Sequence, residues 1–477
     1  MIGNVKNLSL LVALLLLLVA RIGWTQPPVS EKNDKEWARS PLKIPFQNDS
    51  HWTDSRWQQT DVGPFLTASI ATPKGATLKG IAIRVGDRQQ AAVCFDTARL
   101  RISAGWTGDF LRLGARRFGL IDRPVVAGKL AFTTPRIAGW AKGERFHPEP
   151  GETTQLEVEQ GYAAAGSTVV HLPRDWAAYR GLYTSGKRIV LSYSVGKTAV
   201  LESPWYVETK QDRAFVRSLE IGPAAETLRM WVADPKTQVK VLGSPLVTLG
   251  KAPDGSPLLI VAPREKTIRV KLLLMSQGTE AEGVEALSQL SGDVEDLTQM
   301  IQQDTPRWPR ELETVGTTTE TGGPYVIDTL TIPFDNPHKA LFFTAGQDFF
   351  SNKKAAVCTA HGDVWVVSGI DRHLKKLRWR RYATGLFQPL GLKIVADKVY
   401  VIGRDQITRL HDRNGDGEAD FYENFNNDLF ASHRQHDYVT CLDTDPQGNF
   451  YFIHAKTGVM RVAADGSAMT TVGDGFR

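Results

Sequence analysis

The sequence predicts a mainly β fold: a large antiparallel β domain, a short helical linker, and then the first blades, about three, of a truncated β-propeller. Three observations carry this expectation. Apolar and polar residues alternate with period two from about residue 60 to 275, the period turns helical between 279 and 304, and after about 326 a strand-and-turn unit recurs. At 477 residues, with 42% hydrophobic and 23% charged residues, the chain has a globular balance and the length for two or three domains. Its formal charge of +5 is small, and Lys and Arg are interspersed with Asp and Glu, which argues against nucleic acid as a partner.

Residues 1–26 read as a signal peptide. Lys6 precedes the apolar run LSLLVALLLLLVA at 8–20, which Arg21 bounds. Such a run fits a signal core and falls short of the roughly 20 residues that span a bilayer. Cleavage is expected between Ala20 and Gln26, giving an exported protein (periplasmic, secreted or at the cell surface) with no transmembrane helix in the mature chain. An uncleaved N-terminal anchor is the alternative.

The β domain is expected over 35–275. Ile81, Ile83 and Val85 share one face of a strand, as do Ile189, Leu191, Tyr193 and Val195, and again Ile268, Val270 and Leu272. Gly196-Lys197 reads as a tight hairpin turn. The linker is expected over 279–312, where Val294, Leu297 and Ile301 take helical spacing behind Asp293 as N-cap, until TPRWPREL (305–312) breaks the pattern.

The propeller segment is expected over 326–477. GDVWVVSG (362–369), DKVYVIGRDQITRLHDRNGDG (397–417) and GNFYFIHAKTGVMRVAADGS (448–467) share a turn and an apolar strand, and the last two add a second strand and an acidic Gly turn. This spacing suits blades better than a solenoid, unrelated sandwich hairpins being the alternative. A closed ring takes about four to eight blades. With about three, and an ending GDGFR where another unit would open, the chain reads as part of something longer.

HDRNGDGEADFYE (411–423) carries the full spacing of a calcium loop: Asp412, Asn414, Asp416, Gly417 and Glu423, with the Glu418 carbonyl and Asp420 between them. Alternate oxygen-bearing residues in a tight loop suit a hard cation. The flanks read as strands, so the expectation is an inter-strand loop holding Ca²⁺ in a structural role, with a solvated acidic turn as the alternative. His433 and His436 precede a predicted inner strand, where an imidazole would serve as a general base; ordinary loop histidines are the competing reading. His454 reads as a packed strand residue.

Cys94, Cys358 and Cys441 allow one disulfide at most and read as small buried hydrophobes. There is no C-x-x-C-H, so this chain has no c-type haem attachment motif. Trp52, Trp57, Trp106, Trp140 and Trp205 offer sugar-stacking rings or, more commonly, core.

On FQPLGL (387–392), VYVIG (399–403) and DRNGDGEAD (412–420), the segment from 326 onward resembles the start of the propeller of the soluble quinoprotein glucose/sorbosone dehydrogenase superfamily. The resemblance implies pyrroloquinoline quinone as cofactor, a carbohydrate substrate, and His436, ahead of DPQGNFYF (445–452), as the catalytic residue. The N-terminal part, on DVGPFLTASI (61–70), GIAIRVGDRQQAAVCFDTARLRISAGWTGDFL (80–111) and YRGLYTSGKRIVLSYSVGKTAVLESP (179–204), is similar to an uncharacterised domain of exported bacterial multidomain proteins. Those proteins are described as haem-binding or cytochrome-like, which implies a c-type cytochrome module or partner. The resulting expectation is an exported part of a carbohydrate-oxidising, electron-transferring system. Its rival is a noncatalytic scaffold that binds a glycan or a protein.

Overall fold

The computed structural model describes residues 55–114, 124–146, 172–319, 325–429, 431 and 437–474. The apolar run at 8–20 and its cleavage region lie outside the described residues. The first sheet has seven strands. β1 (Phe65–Thr72), β2 (Gly75–Val85), β3 (Ala91–Asp96) and β4 (Arg101–Thr107) form an antiparallel meander; β5 (Leu111–Arg112) and β6 (Val125–Val126) extend one edge and β7 (Lys129–Thr133) the other. Ile81, Ile83 and Val85 face the main core, while Ala82 faces a second one with Ile70, Cys94 and Trp106. Covering both faces explains why β3 reads AAVCFD and is buried throughout, without the alternation of a half-exposed strand.

β8 (Ala177–Ser185), β9 (Arg188–Val195), β10 (Thr198–Glu208) and β11 (Arg213–Ile221) follow as long antiparallel strands, and the expected turn at Gly196-Lys197 closes the β9–β10 hairpin. β12 (Leu228–Trp231), β14 (Val247–Lys251) and β15 (Pro257–Val261) make a small sheet, whereas β13 (Thr237–Gly243) and β16 (Ile268–Ser276) extend the large one.

The helical segment differs from expectation in its bounds. α1 (Ala281–Leu290) buries Leu287 against Ala214, Leu273 and Met275, and α2 (Leu297–Met300) is a single turn. Asp296, not Asp293, caps α2, its carboxylate accepting the Gln299 N–H. The Asp293 carbonyl instead accepts Lys271 Nζ.

After β17 (Leu312–Thr314) come three successive four-stranded meanders: β18 (Thr344–Phe349), β19 (Ala355–Thr359), β20 (Val364–Ser368) and β21 (Leu377–Ala383); β22 (Gly391–Val395), β23 (Lys398–Ile402), β24 (Ile407–His411) and β25 (Phe421–Asn426); β26 (Val439–Thr444), β27 (Phe450–His454), β28 (Gly458–Val462) and β29 (Met469–Gly473). The leading strands β18, β22 and β26 lie side by side as in propeller blades. Their approach is close enough to need glycine: a Cβ on Gly346 would sit 2.3 Å from the Leu392 nitrogen, and one on Gly391 would sit 2.5 Å from the Cys441 carbonyl carbon.

The expected division at 279–312 is not where the molecule divides. β25 pairs antiparallel with β8, in the register Phe421 to Tyr183, Tyr422 to Leu182 and Glu423 to Gly181, so the second blade and the N-terminal strands form one ten-stranded sheet. Residues Trp52–Arg477 form a single compact unit with a core common to both halves, in which Phe65 meets Tyr422 edge to face at 5.2 Å. The pairing also shields an outer blade edge that would otherwise offer free N–H and C=O groups; β17 does the same for β21. Among the described residues no helix is long and apolar enough to cross a membrane.

Gly181 is the steric condition for this seam. Its φ is +141°, and a Cβ there would lie 2.4 Å from the Tyr422 carbonyl oxygen. Gly181→Val is expected to lower unfolding stability by about 2–4 kcal/mol and to speed hydrogen exchange in β25. A urea midpoint equal to wild type would show that the seam does not depend on this contact.

Candidate functional site

The calcium-like loop joins β24 to β25 across the hairpin, with no flanking helix. Asp412 organises it: Oδ1 accepts the N–H groups of Gly415 (2.7 Å) and Asp416 (3.1 Å), and Oδ2 accepts that of Gly417 (2.9 Å). Asn414 Oδ1 accepts the Asp416 N–H, and Asp416 Oδ1 accepts the Glu418 N–H. The loop's outer half is thus held by Asx-type turns.

Of the six expected ligands the Glu423 carboxylate is engaged elsewhere; Glu418 was expected to offer its backbone carbonyl, and its side chain is committed to the linker. Both oxygens of Glu418 accept backbone N–H groups of the linker, from Arg307 and Trp308, each at 2.7 Å. Glu423 lies on β25, where its carboxylate takes Arg409 at 2.5 Å and His411 at 2.6 Å. Burial raises the Glu423 pKa, but those hydrogen bonds outweigh it and hold the group below the usual carboxylate range. Among the described residues, no group of three or more His, Cys, Asp and Glu converges to hold a metal ion.

Asp420 is the exception in the loop. It is 6% exposed; Oδ2 accepts the Arg413 N–H at 3.1 Å, while Oδ1 is buried without a hydrogen-bond partner. Burial pushes its pKa up to about 6, and the negative charges of Asp304 and Asp412 add to the rise. In donor chemistry, Asp412, Asn414, Asp416 and Asp420 fit a hard cation; Glu418 and Glu423, as placed, supply no side-chain oxygen.

The loop is also a junction. Arg413 Nη1 donates to the Ile301 carbonyl, the Asp420 carbonyl accepts the Thr184 N–H, and Tyr183 stacks on Phe421 at 4.2 Å. Arg380 of β21 donates to the Gly417 carbonyl at 3.2 Å. One hairpin therefore touches the N-terminal strands, the linker and the first blade.

A second junction lies at Arg381, which grips Asp363 at 2.9 and 3.2 Å and lies 4.8 Å from the Trp308 ring. Trp308 Nε1 reaches Asp61 at 3.5 Å. Burial lowers the His338 pKa to about 4, aided by Arg381. Lys79 is fully buried on β2, its Nζ donating to the Asp405 and Asn427 carbonyls at 2.8 Å each. Burial lowers its pKa and raises that of Asp405. Sequence reading missed these residues, although a lone Lys in the apolar run GATLKGIAIRV was the available signal.

His433 and His436 lie outside the described residues. His454 is a packed strand residue, 5% exposed, its Nδ1 accepting the Lys456 and Thr457 N–H groups. Cys94 and Cys358 are buried, their thiols pushed up to about 12 by desolvation, but Cys441 is exposed, on a bulge of β26 at φ +62°. All three are free. Trp57, Trp106 and Trp140 are core rather than sugar platforms, Trp205 lies under the Arg188 guanidinium at 4.5 Å, and Trp52 lies outside the described residues.

The Asp420 shift has a pH signature. Because the folded carboxyl binds its proton more tightly than the ordinary 3.8, the folded state holds extra proton between 3.8 and about 6, and stability falls as pH rises through that window. Asp420→Asn is expected to flatten this part of the stability–pH profile and to be the more stable protein at pH 7. Parallel slopes in wild type and variant, from chemical denaturation at pH 4 to 7, would refute the assignment.

Residues 93–202, which span β3 through β10, match the model of a domain of unknown function (DUF6797). No curated protein matches the chain.

Proposed function

We propose that the chain is an exported binding scaffold of a carbohydrate-oxidising, electron-transferring system, holding a glycan and a partner module instead of carrying out the oxidation itself. The supporting observation is the ten-stranded sheet: β8–β25 pairing fixes the N-terminal strands against the second blade, so that surfaces from both halves keep one geometry. Preorganisation of this kind lowers the ordering cost of binding. The buried ion pairs Arg217–Glu202, Arg101–Asp96 and Arg381–Asp363 are closed on one another and serve the fold. Export rests on the apolar run at 8–20, and the c-type cytochrome partner on the similarity of the N-terminal segments.

In this reading Ca²⁺ is a structural ion of the 412–420 loop, held by Asp412, Asn414, Asp416 and Asp420. Its charge would offset the clustered carboxylates and stiffen the hairpin on which the linker and β8 rest. A quinone-dependent dehydrogenase is the second reading. It is favoured by the three meanders and by the position of His436 in the chain just before β26, and it needs pyrroloquinoline quinone bound.

Two measurements check these statements. Calcium at one hundred times its dissociation constant should stabilise the protein by about 2.7 kcal/mol, and the gain should vanish in Asp412→Ala and in Asp420→Asn; no change of unfolding midpoint at millimolar calcium would remove the ion. For function, the scaffold reading expects co-sedimentation with insoluble polysaccharides without sugar oxidation. Quinone-dependent turnover that is lost in His436→Ala would replace it with the second reading.

A further inference from the structure

Where β25 meets the N-terminal strands, a groove with about 300 Å³ of space opens between the turn Thr97–Leu100, the segment Leu172–Arg180 and the stretch Asn424–Asp428. That volume is at the lower end for small-molecule sites, and the setting between two halves of a fold is a common one for them. Its polar groups divide into committed and uncommitted sets. Arg174 is spent: it grips Asp428 at 3.0 and 2.8 Å and donates to the Gly466 and Ser467 carbonyls at 3.1 and 2.7 Å. This also neutralises Asp428.

Arg180, on β8, is exposed and makes one long contact, to Ser194 Oγ at 3.3 Å, with no acidic partner among the described residues. The Asn427 side-chain amide is half-buried and makes no hydrogen bond among the described residues, although its backbone carbonyl holds Lys79. Asn424 turns its amide N–H to the Tyr179 carbonyl at 2.8 Å and leaves Oδ1 unmatched. Leu100, Leu172, Pro173 and Ala177 supply the apolar wall.

We propose that this groove binds a carboxylated sugar ring of the uronate class. Arg180 would take the carboxylate, the Asn427 amide would take ring hydroxyls through its paired donor and acceptor, and the aliphatic wall would cover the C–H face of the ring. A free guanidinium without a competing free carboxylate selects against cations and for an anion. The lone amide is suited to hydroxyls, each of which both donates and accepts. The inference rests on the glycan-binding reading and names its ligand class.

The test is isothermal titration calorimetry of the full chain with D-glucuronate and, as a neutral control, D-glucose, beside co-sedimentation with insoluble polysaccharides. Glucuronate should bind at least tenfold more tightly than glucose. Arg180→Ala should abolish that preference, and Asn427→Ala should weaken both sugars alike; both positions reach solvent, and unchanged unfolding midpoints will verify the folds. Glucuronate binding at wild-type strength in the double variant overturns the groove, as does a wild type that binds polysaccharide but no glucuronate, and either result leaves the glycan reading standing. A wild type that binds neither sugar nor polysaccharide overturns both.

Discussion

The union of the N-terminal strands and the second blade in one sheet depends on three residue pairs of backbone hydrogen bonding between β8 and β25. A short pairing of this kind contributes little by itself, since each net hydrogen bond is worth about 1 kcal/mol. Its importance is positional. It brings Tyr183 over Phe421, places Leu182 and Tyr422 in one core, and turns two structures that could pivot about a linker into one sheet. The backbones approach so closely at Gly181 that no other residue fits without displacement, so the sequence requirement is concentrated in one atom that is absent.

Polar groups placed at the seam reinforce the apolar contact instead of opposing it. Glu418 receives two linker amides that would otherwise lose a partner; burial raises its pKa, and those two hydrogen bonds restrain the rise. Asp363 follows the same rule with Arg381: burial raises it, and the guanidinium restrains the rise. Removing one member of such a pair costs about 3–5 kcal/mol because the survivor is stranded. These groups therefore rank as structural even though their titration behaviour resembles that of catalytic groups.

The parts legible in the sequence were those governed by local rules. Period-two runs became strands, Gly196-Lys197 became a hairpin, and the repeat after 326 became successive four-stranded meanders, since pleat geometry and turn chemistry act over a few residues. The β8–β25 pairing was not legible, because it joins residues far apart in the chain and nothing local in RGLYTS or DFYENF marks them as partners. For the same reason the linker looked like a boundary: Arg307 and Trp308 are tied to Glu418 by their backbone, which leaves no trace in side-chain pattern. The loop was found by its spacing, but spacing could not show that Glu423 belongs to the next strand and is occupied by Arg409. Cys441, in an apolar context, was turned outward by a bulge that composition does not encode.

The separation of Glu423 from the loop bears on what kind of ion site the hairpin can support. In a helix–loop–helix hand, the last position of the loop supplies a bidentate carboxylate that closes the coordination shell. Here β24 and β25 set that position by their register, Arg409 opposite Glu423, and an arginine has already neutralised it. What remains is the strain on the Asp420 carboxylate, from burial first and then from the charges of Asp304 and Asp412, with one buried oxygen unmatched. A proton relieves it below about pH 6; above that, only a cation or an ordered water can. Proton and cation therefore compete for one carboxylate, so any affinity the loop has for Ca²⁺ must strengthen as pH rises through 6, and it must be weaker than that of a hand with its closing glutamate free.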